Sequence, residues 1–241
     1  MFLSPEWREL YRHTLHEAER LGLELGLNLQ SGWDLGGPMV IPEHAVKKVV
    51  WSATRMTGGV PVDDVLPKAE AAQSYYRDIA VLGYLRRAKA RGHKPVRLLD
   101  YKIAAKEFSN SAPDCWPLLE DVSGQPGEED CLSRDVVDLT ERMDADGRLK
   151  LTAPPGELEL LRFGCTTTGA KVTSSSDTWQ GLVLDYLDPL AFFSHWQQVV
   201  EPLLADANSL RKWPLKFVFT DSWELGGINW TPNFLDEFRL R

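Results

Sequence analysis

The chain has 241 residues, of which 43% are hydrophobic and 26% are charged, so it can bury a core and is neither disordered nor collagenous in composition. A formal net charge of -8, a pI near 5.2 and the lack of a long Lys/Arg cluster argue against a nucleic-acid partner. The N-terminus has no signal-peptide pattern and no apolar run approaches membrane-spanning length, so we expect no membrane partner. Cys115, Cys131 and Cys165 predict neither a zinc site nor a disulfide framework, although one bridge remains open.

The N-terminal part of the chain predicts a helix followed by a strand. Ser4 is a suitable helix cap, and apolar residues recur at helical spacing until Gly22 ends the run. Leucine then alternates with other residues from Leu23 to Gln30, which is typical of a strand. A glycine-broken loop, Ser31 to His44, leads into a predicted helix from Pro42 through about Trp51. The order of helix, strand, loop and helix is typical of one unit of a (β/α) barrel.

The pattern changes between residues 52 and 178 and predicts a β-rich insertion. Strands are predicted at Ile79 to Leu85, at Arg148 to Leu151 and at Glu157 to Thr168. Asn110 to Asp130 contains prolines, glycines and acids without a period, and we interpret it as a long surface loop.

The α/β pattern resumes at residue 179. Gly181 to Leu187 predicts a strand, and Asp188 caps a helix with a predicted buried stripe of Phe192, Trp196, Val199, Val200 and Leu203. Leu215 to Thr220 predicts a buried strand, and Thr231 precedes a last helix. We therefore predict an α/β fold: a partial (β/α)8 TIM-type barrel in residues 1–51 and 179–241, interrupted by the insertion at 52–178. It would hold three of the eight strands that closure needs.

Acids and tryptophans cluster just after the predicted strand Leu215 to Thr220. Asp221 and Glu224 fall at its carboxyl end, where catalytic side chains collect in α/β folds. Trp223 and Trp230 beside these acids suit a sugar, because an indole covers the apolar face of a pyranose and carboxylates accept its hydroxyls. A solvated acidic turn with two core tryptophans explains the same residues equally well.

Four stretches of the sequence occur in this order in a known family of enzymes. They are FLSPEWRELYRHTLHEAERLGLELGLNLQSGWDLGGPMVIPEHAVKKVVWS, ELLRFGCTTTGAKV, GLVLDYLDP and FTDSWELGGINWTPNFLDEF. The chain resembles glycoside hydrolase family 106, the α-L-rhamnosidases, over essentially its whole length. The resemblance implies inverting, calcium-assisted hydrolysis that releases terminal rhamnose from plant or bacterial glycans. It also implies a longer polypeptide, with a barrel followed by β-sandwich domains, and an extracellular or periplasmic location.

The resemblance also implies roles for individual acids. The DSWE motif makes Glu224 the general acid, and Asp221, three residues earlier, would orient it or contact sugar or metal. An inverting enzyme needs a second carboxylate about 6.5 to 9.5 Å away. In the family it comes from a later strand, so we expect it beyond Arg241 and expect this chain to be a fragment. Asp34 and Asp185 are assigned to sugar or calcium contact, and no specific calcium ligand is predicted.

Two further residues are candidate sugar contacts. His44 could reach a substrate hydroxyl, but a lone histidine at a helix end is more often structural. Trp33 could stack on a sugar or pack within its loop, and the sequence does not decide between them.

Two other functions remain open. The chain could be a non-catalytic carbohydrate-binding or remnant module, or a hydrolase of another specificity that pairs Glu224 with Asp185. Because three strands cut from a barrel leave open edges, we also expect the isolated chain to aggregate, unfold in part or self-associate. The oligomeric state is not predicted.

Overall fold

The computed structural model describes residues 2–86, 131, 133–208, 210–222 and 228–241. The chain forms two compact units, the first from Met1–Lys47 with Thr167–Arg241 and the second from Lys48–Thr166. The second unit therefore occupies much of the stretch 52–178 that the sequence predicts as an insertion. Among the described residues, no helix is both long enough and apolar enough to cross a membrane.

Among its described residues, the first unit combines four α-helices with short strands. Its strands are β1 (Leu25–Asn28) and β2 (Gly36–Gly37), and β3 (Lys47–Gly58) begins at its border. The second unit contains β4 (Pro61–Val65), β5 (Arg77–Leu85), β6 (Val137–Asp138), β7 (Arg148–Thr152) and β8 (Gly156–Thr167), the last ending at its border. The first unit then continues with β9 (Leu182–Val183) and β10 (Leu215–Phe219). Its helices are α1 (Pro5–Leu21), α2 (Pro189–His195), α3 (Glu201–Ala207) and α4 (Phe234–Leu240), and a π-helical turn, Trp196–Val200, joins α2 to α3.

Helix α1 forms as its end signals predict. The Ser4 hydroxyl accepts a hydrogen bond from the Trp7 N–H, and Gly22 ends the helix in the left-handed conformation at φ 70°. The helix is attached to α3 by Arg8, which donates to both oxygens of Asp206 at 2.8 and 2.9 Å. This bidentate pair and the buried Leu15 fix α1 on the first unit.

The prediction of a helix from Pro42 through Trp51 is wrong. A single 3₁₀ turn, Pro42–His44, is followed by the 12-residue strand β3. The run of β-branched and aromatic residues in KKVVWSATRMTG favours extended backbone, because these side chains lose rotamers against a helical turn. β3 is an edge strand of the four-stranded sheet of the second unit, whose order is β3-β8-β5-β6.

The predicted strand Gly181 to Leu187 shrinks to the two residues of β9. Asp185 ends it, because its side chain accepts from the Leu187 N–H at 3.1 Å and its carbonyl accepts from the Asp188 N–H. β9 pairs antiparallel with β2, with Gly36 opposite Val183. Backbones approach closely here: a Cβ on Gly181 would lie 2.0 Å from the Gly37 carbonyl carbon.

The described residues do not form a (β/α)8 barrel. Parallel pairing joins β1 to β10, whereas β9, the third predicted barrel strand, belongs to a separate antiparallel sheet. A barrel needs strands that continue one parallel sheet. The structure is mixed α/β and richer in β-sheet than predicted, and the strands predicted near residues 79–85, 148–151 and 157–168 are confirmed as β5, β7 and β8. The predicted loop Asn110 to Asp130 lies outside the described residues.

The core of the first unit lies between β1 and its helices. Leu27 and Leu29 pack with Val199, Val200 and Leu203, so the predicted stripe is confirmed in its C-terminal half. Phe192, at the other end of the stripe, is 37% exposed.

The second unit has its own core and a buried arginine. Its core residues include Val81, Leu149 and Leu160. Arg162 donates to both oxygens of Asp78, at 2.7 and 2.8 Å, and to the Leu66 carbonyl.

Strand β10 is not buried as predicted, and its side chains generate a first prediction. Phe217, Val218 and Phe219 are 58%, 43% and 44% exposed, and among described strands β10 pairs with β1 alone.

We expect the isolated chain to bind a hydrophobic dye and to self-associate with rising concentration, because an apolar strand edge is a template for pairing. Val218→Lys should reduce both signals. Light scattering and dye fluorescence measure this, and Phe193→Lys on α2 is the control, since Phe193 is 56% exposed but lies on a helix. A monomeric chain that binds no dye contradicts the prediction.

Candidate active site

The carboxyl ends of β1 and β10 bring two predicted site residues together. The Leu29 N–H donates to the Phe219 carbonyl at 3.0 Å, which continues the parallel ladder past the end of β1. Just beyond, the Ser222 N–H donates to the Trp33 carbonyl at 3.1 Å. Trp33 is 44% exposed and Asp221 is exposed, so an open indole and an open carboxylate lie on neighbouring segments at this edge.

The residue predicted to be the general acid cannot be placed. Glu224 and Trp223 fall in residues 223–227, which lie outside the described residues. The roles given to them stay predictions. What the structure does define is how the chain enters and leaves this segment, at Ser222 and at Asn229.

Asp34 is buried rather than open to ligand. It is 1% exposed and accepts a hydrogen bond from the Thr173 hydroxyl at 3.2 Å. The neighbouring Tyr186 hydroxyl accepts from the Leu35 N–H at 2.9 Å. Burial, together with the negative charge of Asp34, raises the pKa of Tyr186, so this phenol stays neutral. A role of Asp34 in sugar or calcium contact stays a prediction.

Asp185 lies next to the Asp34 segment through the β2–β9 pairing. The Leu184 N–H donates to the Leu35 carbonyl at 2.9 Å, one step beyond the pair of Gly36 and Val183. On its other side, the Asp185 N–H donates to the His44 carbonyl at 2.9 Å. The backbone therefore places His44, Asp34 and Asp185 on adjoining segments of the first unit.

A buried ion pair between Lys47 and Asp185 is the strongest electrostatic feature of this region. Both side chains are 0% exposed, and the Lys47 Nζ lies 3.2 Å from Asp185 Oδ2. The same Nζ donates to the Ala45 carbonyl at 2.8 Å, while Asp185 Oδ1 accepts from Leu187. Burial raises the pKa of Asp185, and Lys47, the Leu187 N–H and Thr231 act to lower it. Sequence reasoning missed Lys47, because nothing in KKVVW distinguishes a buried lysine from an exposed one.

Trp230 is mostly buried beside this pair. It is 9% exposed, forms an antiparallel bridge with Lys47 and places its ring 5.2 Å from that of Phe234. Its packing role is therefore observed, while its role in stacking on a sugar stays a prediction.

His195 is a second buried group that the sequence did not single out. It is 2% exposed at the end of α2, and its Nε2 lies 3.0 Å from the Leu29 carbonyl, at the end of β1. Burial lowers the pKa of His195, and the Leu29 carbonyl partly opposes this effect. A neutral imidazole therefore donates from Nε2 and fixes the helix to the strand end that precedes Trp33.

The calcium ion that the resemblance implies has no cluster of acidic side-chain ligands among the described residues. No three His, Cys, Asp or Glu side chains among them come together as metal ligands. Calcium prefers six to eight oxygen ligands, and Asp185 already has Lys47 as its counter-ion. No chemical step is assigned to the metal.

Comparison with known proteins identifies the family. The family described as alpha-L-rhamnosidase, glycoside hydrolase family 106, matches residues 1–116 and 118–241. The chain therefore belongs to this family of glycoside hydrolases, and the predicted resemblance is confirmed. The chain is also 32% identical over 238 residues to a protein of Formosa agariphila that carries the provisional name beta-glucuronidase.

A solved structure shares the fold. The rhamnosidase from Novosphingobium sp. PP1Y superimposes with a TM-score of 0.75 at 20% sequence identity, over 100% of this chain. The chain spans 35% of the length of that rhamnosidase. The match to the Formosa protein covers 98% of this chain and 20% of the Formosa protein.

The Lys47–Asp185 pair gives a second prediction. Lys47→Met leaves a buried carboxylate without its cation, which we expect to destabilise the first unit by about 3 to 5 kcal/mol near pH 7. The loss should shrink as the pH falls, because the pKa of Asp185 is already raised and the variant removes the group that lowers it. Denaturant unfolding at several pH values measures this. Lys150→Met, which breaks an exposed contact of 3.9 Å with Asp63, is the control and should leave the midpoint unchanged. A pH-independent loss contradicts the prediction.

His195 gives a third prediction. Because its pKa is lower in the folded chain, the unfolded chain binds more protons, and stability is lost as the pH falls from about 6.5 through the folded pKa. His195→Gln keeps an N–H for the Leu29 carbonyl but cannot titrate, so its unfolding midpoint should depend less on pH between about 7.5 and 5. His13→Gln, at an exposed position on α1, should keep the wild-type slope. Equal slopes for all three proteins would show that His195 is not the titrating group.

Proposed function

We propose that this member of glycoside hydrolase family 106 forms part of an inverting α-L-rhamnosidase in which Glu224 is the general acid. The observation that supports the proposal is the edge formed by β1 and β10, where the open Trp33 lies beside the segment that begins at Asp221. The carboxyl end of a strand is where enzymes of α/β architecture place catalytic side chains. Glu224 follows Asp221 by three residues.

The proposed reaction breaks one glycosidic bond and forms one bond to water. Glu224 gives its proton to the departing oxygen, while a second carboxylate takes a proton from water as this water attacks the anomeric carbon from the opposite face. The two carboxyl groups of such a pair lie about 6.5 to 9.5 Å apart. We propose that the second carboxylate comes from a part of the catalytic domain that this chain does not span, since the chain covers 35% of the solved rhamnosidase.

The proposed sugar contacts follow the exposure of the candidate residues. Trp33 would cover the apolar face of the rhamnose ring, and Asp221 would accept hydrogen bonds from its hydroxyls. Trp223, which lies between Asp221 and Glu224 in the sequence, would act with Trp33. His44 is half-buried and could reach a hydroxyl, whereas Trp230 is packed on Phe234 and would contribute an edge of its ring. The calcium assistance that the resemblance implies stays an expectation, and no step of the proposed reaction depends on it.

A second candidate function is hydrolysis of another sugar. The Formosa relative is 32% identical and is provisionally named as a beta-glucuronidase, so a uronic acid glycoside is an alternative substrate. Such a substrate carries a carboxylate, which needs a cationic side chain at the site. Lys47 is a buried cation in contact with the candidate residue Asp185, but its charge is already paired with that carboxylate.

Assays on two lengths of polypeptide separate these proposals from a purely binding role. The 241-residue chain and a version extended to the length of its relatives are tested on an aryl α-L-rhamnoside and an aryl β-glucuronide. Turnover of the rhamnoside by the extended form alone supports the proposal. Binding without turnover in both lengths indicates a carbohydrate-binding module, and turnover of the glucuronide alone assigns the other substrate.

The general acid gives a fourth prediction. In the extended form, Glu224→Gln should lower kcat by about 10² to 10⁴ on a rhamnoside with a poor leaving group, because that oxygen needs a proton as it departs. The loss should be much smaller for a nitrophenyl leaving group, which departs as a stable anion. Glu9→Gln, on the exposed side of α1, should leave both rates unchanged. If Glu224→Gln slows both substrates equally or neither, Glu224 is not the acid.

A further inference from the structure

We infer that residues 172–175 form a clamp that fixes the position of Trp33, with Thr173 and Gly32 as the positioning residues. The inference rests on the proposed function, because it takes Trp33 as the side chain that stacks on the sugar. Neither positioning residue touches the sugar. Both act through the backbone from which the indole projects.

Two hydrogen bonds attach the Trp33 segment to a single residue of the clamp. The Trp33 N–H donates to the Thr173 carbonyl at 3.1 Å, and the Thr173 hydroxyl donates to Asp34 Oδ2 at 3.2 Å. Asp34 is 1% exposed, whereas Trp33 is 44% exposed. An open indole therefore projects from a backbone that is held at its own N–H and at the buried side chain of the next residue.

Gly32 allows the backbone before Trp33 to lie directly against the clamp. Its φ is 110°, in the left-handed region that favours glycine. A Cβ at this position would collide with the Thr173 carbonyl oxygen and would lie 3.0 Å from the Ser175 nitrogen. An alanine would thus push the loop away from the clamp, and with it the Trp33 N–H.

The clamp itself is strained on one side and anchored on the other. Ser174 has a φ of 54°, and a non-glycine residue keeps such a backbone only where its surroundings determine it, often at ligand sites. Val172 is buried with Val46 and Val183, and its N–H donates to the Gly181 carbonyl at 3.0 Å. The clamp therefore connects the Trp33 loop to a core of the first unit.

A fixed platform affects how tightly a sugar binds. An exposed indole on a mobile loop would lose conformational freedom when a sugar stacks on it, and a backbone that is already fixed reduces this cost. Stacking stabilises the bound substrate and the transition state to a similar extent. Loss of the clamp should therefore raise KM and leave kcat nearly unchanged.

Kinetics of the extended, active form on an aryl α-L-rhamnoside test the inference. Gly32→Ala should raise KM about tenfold, the factor that corresponds to the loss of one aromatic contact, and change kcat less than about twofold. Thr173→Val is a milder change that keeps the branched shape, and it should raise KM about threefold because the hydroxyl bond to Asp34 is lost. Thr173→Ser keeps the hydroxyl and should keep the wild-type KM.

Gly22→Ala is the matched control for Gly32→Ala. Gly22 is also left-handed, at φ 70°, but a Cβ there would have no described atom within 4 Å. This variant should lower the thermal midpoint through backbone strain and leave KM unchanged.

Two further measurements show whether the clamp acts through Trp33. In a Trp33→Ala background, Gly32→Ala should raise KM no further, because both changes remove the same contact. Amide hydrogen exchange at Trp33 should be faster in Gly32→Ala than in the wild type, since its N–H loses the Thr173 carbonyl.

Two kinetic results would overturn the inference. A Gly32→Ala variant with a lower thermal midpoint and a wild-type KM, as expected for Gly22→Ala, would show that the clamp serves stability alone. Increases in KM that multiply in the double variant would show that Gly32 does not act through Trp33. The proposed function fails separately, if the extended form does not hydrolyse the rhamnoside. The exchange rate then tests the clamp by itself, and unchanged exchange at Trp33 in Gly32→Ala overturns it.

Discussion

The first unit depends on the pairing of two strands from opposite ends of the chain. β1 and β10 lie side by side in parallel, with the Leu25 N–H donating to the Pro214 carbonyl at 2.9 Å and the Leu29 N–H to the Phe219 carbonyl. Closing a loop of this length costs conformational entropy, although the cost grows only slowly with length. Burial of apolar side chains against the helices offsets this entropy cost, since Leu27 and Leu29 pack in the core with them. The Phe217 ring lies against Gly26 of β1. Trp33 and Asp221 both lie just beyond the carboxyl ends of this strand pair.

Charge burial is the second constraint on the region. Lys47 and Asp185 lose all contact with water, and each keeps a second polar contact to the backbone. His195 is buried as a neutral ring on the Leu29 carbonyl. Trp33 and Asp221 near the strand ends are thus exposed, whereas Lys47, Asp185 and His195 are buried and each makes a defined hydrogen bond. This division separates residues that can meet a ligand from residues that hold the frame.

Local signals in the sequence predict local structure well and long-range structure poorly. Ser4 and Gly22 define α1 because capping depends on neighbours within a few residues. In the segment after Pro42, a helix-start signal precedes an apolar run and so predicts a helix, whereas the observed strand depends on pairing with β8, which lies far along the chain. Of the three predicted barrel strands, only β1 and β10 pair in parallel, because three apolar runs do not specify which strands pair. Among site residues, Trp33 and Asp221 could be found from their position after strands, whereas the burial of Lys47 depends on contacts that no local pattern encodes.

The chain leaves the first unit and returns to it at almost the same point. The Thr168 N–H donates to the Val46 carbonyl at 2.9 Å, and the strands that begin and end the second unit, β3 and β8, are neighbours in one sheet. Units whose two ends lie together can be inserted into a host domain, or removed from it, without separating the host's own elements. The second unit can therefore be lengthened, exchanged or removed at one short junction, while β1 and β10 remain paired.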